Sequence, residues 1–440
     1  ASAVLGPTGL TIGLTVARAE GASVRRRPAL LAALGTTGTL SVVALALMLV
    51  NGLRQPLCDV ASGVLWFFVG PVAGALYATV FGFAVGLLCP SRALRVVCLV
   101  ALVALAVVCP VVTLYTTPAI HFYHPVFGYF SGAVYDELIE IDRVLLVYRL
   151  TNLLEAATLV LLLDLWPIDM PALWQRDRRR FVVLATGIVA VCVCLVLPAP
   201  LGYRHSHRAI QAALGGHLRT PHFDIYYAAG TPYEGVVSRV ASEHERCYAR
   251  ITAALGRAPA GHTASYIFPN LATKRRLMGA DRVYVSKPWL REVYLGPVAV
   301  DDTVICHELV HALAAECAPG PLHVPARWAV LPHMGLVEGL AKALEGDTSV
   351  LSRHRASAAM RALGFAPDMR RLLGPDGFWT APAGQAYTTA GSFLQFLSDT
   401  RGTGRLCALY DAGDFDAVYG VSADVLITDW EAFLDDNVRP

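Results

Sequence analysis

Residues 302–317 read DTVICHELVHALAAEC, and this stretch decides the architecture of the half of the chain that contains it. Asp301 and Asp302 stand where an N-cap and a first-turn acid belong, and Pro319-Gly320 stops the helix they start. Inside lie His307, Glu308 and His311 in the pattern HExxH. Residues four apart on a helix share one face, about 5 to 6 Å apart, so both imidazoles can converge on one zinc ion at about 2.0 to 2.1 Å each. Glu308 then projects beside the metal, placed to take a proton from a water the metal activates and not to ligate. By composition, HExxH arises by chance in a chain of this kind roughly once in a hundred; a bounded amphipathic helix behind a strand lowers that further.

Around this helix the sequence predicts an α+β domain running from about residue 204 to 440. HFDIYYA (222–228), ASYIF (264–268), RVYVS (282–286) and REVYLG (291–296) alternate as strands, and TPYEGVVSRVASEHERCYARITAAL (231–255) carries apolar residues at helical spacing. A catalytic zinc needs a third protein ligand and one open position. The extended pattern HExxHxxGxxH is excluded, because Ala314 and Cys317 occupy its Gly and His places. The next candidate is Glu338, which opens a helical run in GLVEGLAKALEG (335–346); His323 and His333, in the preceding loop, are the alternatives.

Here the chain resembles the gluzincin metallopeptidases, the thermolysin-like and aminopeptidase-like group in which HExxH is followed on the next helix by a ligating Glu within a stretch similar to EGLA. The match is Glu338-Gly339-Leu340-Ala341, with a further acid at Glu345, and the 26 residues between His311 and Glu338 exceed the usual interval. YTTAGSFLQFLSDTRG (387–402), DAGDFDAVYG (411–420) and DWEAFL (429–434) look like the helical tail of that group, so the resemblance spans roughly 220–436. It implies a zincin-like fold with a helical C-terminal lobe, Zn2+ on His307, His311 and Glu338, Glu308 as general base, and Glu345 orienting a ligand. It also implies Tyr387 as a donor to the developing oxyanion, and REVYLG as the edge strand that pairs with an extended peptide substrate.

The first 203 residues have another texture. Across all 440, 55% are apolar and only 16% charged, too few charges for an ordinary soluble enzyme. Stretches at about 29–50, 62–89, 94–115 and 181–201 approach or exceed the roughly 20 apolar residues of a bilayer span, and a fifth, about 146–166, carries Arg149 and Glu155. The run from Leu57 to Cys89 is too long for one untilted span, and Gly70-Pro71 is expected to break it. Residues 3–17 read as the remnant of another span. Arg149 is expected to snorkel to the headgroups and Glu155 to pair within the bundle.

Three basic clusters, Arg18 with Arg25–Arg27, Arg92 with Arg95, and Arg176 with Arg178–Arg180, mark the loops that stay inside. The 116–145 loop and everything after about Gly202 then face outward. HFYHPVFGYFSGAVYDE (121–137) suits the membrane interface, with His121 and His124 packing there. The chain opens with Ala1, as a fragment or processed protein would, and no cleavable signal peptide is recognisable.

A formal charge of +2, with basic residues only in short clusters beside apolar runs, excludes a nucleic-acid surface. Ten cysteines without a CxxC pair argue against a disulfide scaffold and for small buried apolar side chains at most of them, with the disulfide state of Cys247, Cys306, Cys317 and Cys407 left open. The sequence thus predicts a membrane-anchored zinc peptidase acting on a peptide or protein. Its rivals are an intramembrane protease, disfavoured by the polar surroundings of His307, and a transporter or sensor carrying a zinc-binding module without turnover.

Overall fold

The computed structural model describes residues 1–19, 26–54, 59–130, 141–197, 201–202, 205–279, 281–300, 302–328, 331–346 and 351–437. Arg25, Leu57, Asp301 and the 131–140 part of the interfacial loop lie outside them. The chain divides into two compact units, Ala1–His207 with Arg276–Ala280, and Arg208–Arg275 with Asp281–Pro440.

Unit 1 is built from helices α1 (Ser2–Ala19), α2 (Arg26–Gly52), α3 (Val60–Phe67), α4 (Ala73–Leu88), α5 (Arg92–Thr116), α6 (Arg143–Leu165), α7 (Met170–Arg176) and α8 (Arg178–Val196). A hairpin of β1 (Phe122–His124) and β2 (Gly128–Phe130) stands between α5 and α6. Among the described residues, five helices are long and apolar enough to cross a membrane: α2, the joined Val60–Leu88, α5, α6 and α8. Apolar side chains on α5 and α8 face outward, Val100 and Val189 each 62% exposed, a surface that water penalises and lipid does not. These features are compatible with a membrane protein.

Gly70-Pro71 does not break the long run. Phe68–Val72 forms a π-helical turn that carries α3 into α4, and the widened turn accommodates the ring and missing N–H of Pro71. Residues 2–19 form a helix laid against α4 through glycine. A Cβ on Gly9 would stand 2.4 Å from the Ala75 carbonyl oxygen, one on Gly13 2.1 Å from that of Thr79, and one on Gly82 2.0 Å from that of Leu10, so only glycine permits this approach.

Arg149 does not snorkel. It lies in the second turn of α6 and turns inward, donating to the carbonyl oxygens of Pro125 (2.7 Å) and Gly70 (3.2 Å) and to Asn152 Oδ1 (3.1 Å). Glu155, two turns further along, accepts from the Tyr77 hydroxyl of α4 at 2.8 Å, the pairing within the bundle that its position called for. His121 packs edge-on against Tyr123. His124 accepts the N–H groups of Val126 and Phe127 at Nδ1 (both 3.0 Å) and bonds the Ala106 carbonyl, which Pro110 cannot reach as a helical donor. Burial holds this imidazole down at about 4, a neutral group fixed for packing.

Unit 2 begins with α9 (His207–Leu214), β3 (Gly215–Arg219), β4 (Phe223–Ala228), α10 (Val237–Leu255), β5 (Thr263–Ile267), α11 (Leu271–Met278, of which the residues from Arg276 on are counted with unit 1), β6 (Val285–Lys287) and β7 (Glu292–Leu295). There follow α12 (Thr303–Ala314), the short pair β8 (Ala326–Arg327) and β9 (Leu331–Pro332), and α13 (Met334–Leu344). A helical tail completes it: α14 (Arg353–Ala362), α15 (Met369–Leu372), α16 (Gly377–Thr380), α17 (Ala383–Arg401), α18 (Gly404–Ala412), α19 (Phe415–Tyr419) and α20 (Ala423–Asn437).

The five-stranded sheet has the order β3-β4-β5-β7-β6. β4, β5 and β7 run parallel, and β3 and β6 pair antiparallel at the two edges. REVYLG is therefore not the edge: β7 is enclosed, and β6, the end of the RVYVS stretch, holds the edge. Apolar periodicity reports burial of a face and not the order of strands in a sheet. Phe223, Ile225, Ile267, Val293 and Leu295 share one core with α10 and α12.

The four cysteines of unit 2, whose disulfide state the sequence leaves open, are paired. Cys247 on α10 is bonded to Cys306 on α12, and Cys317, just past α12, to Cys407 on α18. Separations of 59 and 90 residues leave no local motif by which spacing could announce them.

The glycine seam can be tested in the full chain in detergent. Gly13→Leu should lower its thermal stability by about 1–3 kcal/mol, the usual cost of overpacking, whereas Gly35→Leu on α2, where a Cβ meets nothing within 4 Å, should leave it unchanged. Equal melting of the two variants would remove the seam from the account.

Candidate metal centre

Helix α12 is held at both of its ends. Asp302 caps α12, its side chain accepting the Val304 N–H at 3.1 Å; it holds the cap itself and not the first-turn place that the sequence assigns to it. Every residue from Ile305 to Ala314 is buried, so α12 is a core helix and not a surface one. The Cys247–Cys306 bond ties its first turn to α10, and the Cys317–Cys407 bond ties the chain just beyond its last turn to α18. α13 brings the third acid. Its Gly339 passes the Ala390 carbonyl of α17, where a Cβ would stand 3.1 Å from that oxygen; this is the packing reason for glycine in EGLA.

Three donor atoms meet between α12 and α13. His307 Nε2 lies 3.3 Å and His311 Nε2 3.4 Å from Glu338 Oε2, and the two imidazole nitrogens are 3.3 Å apart. Ligands bound at about 2.0–2.1 Å to a tetrahedral ion stand about 3.3–3.4 Å from one another, so the triangle has the edge length of a zinc site. All three residues are buried, and Glu338 Oε2 takes no hydrogen bond. An anionic oxygen so placed needs a cation. The nitrogen, nitrogen, oxygen donor set fits zinc among the divalent ions.

The field around the triangle has the same sign. Burial pushes the His307 imidazolium down, but Glu338 and Glu345 override it and hold the group up at about 10. Burial likewise pushes Glu338 up, yet His311 and His307 keep it well below the usual carboxylate range. What draws a proton onto this cluster also draws a metal ion. His307 Nδ1 lies 2.8 Å from Glu345 Oε2, and with that N–H donating, the Nε2 lone pair is turned to the triangle. Lys342 Nζ donates to the other oxygen of Glu345 at 3.0 Å, and burial of that carboxylate is offset by His307 and Lys342, which lower it.

The alternatives lie elsewhere. His333 Nε2 accepts from Arg327 Nε at 3.0 Å, and His323 Nδ1 faces the Ala315 carbonyl at 3.2 Å; neither joins the triangle. Glu243 with Cys247 and Cys306 forms another compact group, but its two sulfurs are bonded to each other and offer no thiolate. The Tyr387 ring of α17 is brought within 6.1 Å of the His307 ring, centre to centre, and packs edge-on against Phe378.

Sequence reading missed Ser286. Its Oγ lies 2.6 Å from Glu308 Oε2 and 2.8 Å from the Glu308 main-chain oxygen. The period-2 alternation of RVYVS was the available signal: Ser286 pairs with Val293 in register and shares the sheet face on which α12 packs.

Metal analysis of the purified full chain after dialysis tests the ligand set. Glu338→Ala should lose stoichiometric zinc, Glu345→Ala should weaken affinity by about 10–100-fold, and His333→Ala should retain the metal. Full retention in Glu338→Ala would displace that residue from the site. No protein-family model matches the chain, and none of the curated proteins or solved structures does.

Proposed function

We propose that the chain is a membrane-anchored zinc peptidase of the gluzincin kind. The observation that carries this reading is the buried His307, His311, Glu338 triangle with Glu308 beside it on the same helix. Zinc bound there would supply Lewis acidity toward a peptide carbonyl and acidity to a water. Glu308, which belongs to no ligand triangle, takes the proton of the attacking water and passes it to the nitrogen of the departing amine. Tyr387 supplies a hydrogen bond to the carbonyl oxygen as charge builds on it. β6 lies at the edge of the sheet, where an extended peptide can add as a further strand, and Ser286 ties that strand to Glu308.

Two observations support an extracytoplasmic catalytic unit. The three arginine clusters bracket the apolar helices on one side, and the two disulfides of unit 2 suit an oxidising compartment. α12 is not among the five helices apolar enough to cross a membrane, which separates this reading from an intramembrane protease. The rival without turnover, a transporter or sensor with a zinc module, has no need of a base held beside the ligands.

Two measurements decide. Glu308→Gln in the full chain should keep its zinc and lose about 10²–10⁴-fold in turnover of labelled casein, because an amide accepts no proton; equal rates would leave only the binding-module reading. A periplasmic-type reporter fused after Pro440 should be active, and protease added to intact spheroplasts should cut unit 2. Protection until lysis would reverse the orientation.

A further inference from the structure

Resting on the peptidase reading of the metal centre, we propose that Ser286 is a positioning residue for Glu308, and that its hydroxyl supports the base in both of its protonation states. A serine hydroxyl has one hydrogen and can accept as well as donate. Here one oxygen has two acceptors in reach on the same residue, Glu308 Oε2 at 2.6 Å and the Glu308 carbonyl oxygen at 2.8 Å. The shorter contact falls in the range of a hydroxyl donating to an ionised carboxylate. With Glu308 ionised, the hydroxyl hydrogen goes to Oε2, which fixes the carboxylate plane and leaves Oε1 for the attacking water.

Once the proton of the water is on Glu308, the same oxygen serves the other state. The proton arrives on Oε1 and the hydroxyl goes on donating to Oε2, so the carboxyl plane set for the attack is kept while the proton is delivered to the amine. Ser286 neither gains nor loses a proton: the proton comes from the water, rests on Glu308 and leaves on the amine. The support is rigid because Ser286 belongs to β6, hydrogen-bonded to β7, while Glu308 sits on a helix fixed at both ends by disulfides. The same strand is the sheet edge, so seating of a peptide on β6 and orientation of the base are mechanically linked.

The test uses the full chain in detergent, with a quenched fluorogenic peptide as probe. Ser286→Ala should keep stoichiometric zinc, its melting temperature and KM within about twofold, and lose about 10–100-fold in kcat, the span of a hydrogen bond to a charged group. Ser286→Thr, which restores the hydroxyl on a β-branched side chain suited to a strand, should recover most of that loss. An Ala variant with unchanged kcat overturns the proposal, as does a loss accompanied by lost zinc or lowered melting that Thr fails to rescue. Wild-type turnover no higher than that of Glu308→Gln would instead sink the peptidase reading, and with it any role for Ser286 in supporting a base.

Discussion

A carboxylate cannot stay ionised in a protein interior without a partner, and Glu338 sits there with two imidazoles as its neighbours. Much of unit 2 can be understood as what is needed to keep those three groups in one place. Two helices must meet closely, which Gly339 permits at α17. One imidazole must present a chosen nitrogen, which Glu345 and Lys342 arrange. The helix that carries two of the three groups is buried along nearly all its length, so its position follows from packing against the sheet and α10 rather than from local propensity.

That dependence explains what could be read from the sequence. HExxH and EGLA are local patterns, and the helix periods around them place His307, His311 and Glu338 on facing surfaces without knowledge of the rest. The apolar helices are equally local, since their length against the bilayer decides them. β3 was invisible for the opposite reason: its first residues are Gly215 and Gly216, which carry no strand signal and are held only by pairing to Tyr227 and Ala228. Which of β6 and β7 lies at the edge, and which cysteines meet, depend on how distant segments return to one another. Arg149 was misjudged because snorkelling is the default for an arginine near a span's end, and the carbonyls of Gly70 and Pro125 come from elsewhere in the chain.

Ser286 belongs to a third category. Its alternation in RVYVS assigns it a face, yet serine at an edge strand reads as an ordinary polar residue. Only the return of α12 beneath that strand turns it into a partner of Glu308. Residues that act through others are the ones that sequence patterns leave unmarked, because their chemistry lies in a distance and not in a spacing.

The glycine seam between α1 and α4 sets the two halves of the chain apart thermodynamically. Backbone lies close on backbone there, and in a bilayer apolar surface would pass from acyl chains to protein without ever meeting water, so parting those helices would change heat capacity little. Unit 2, whose core is sequestered from water, must unfold with the large positive heat-capacity change of a soluble domain. Cooling weakens the force that holds α12 to its sheet while leaving the seam nearly indifferent. With unit 1 in a bilayer, one polypeptide would carry two stability curves of different curvature.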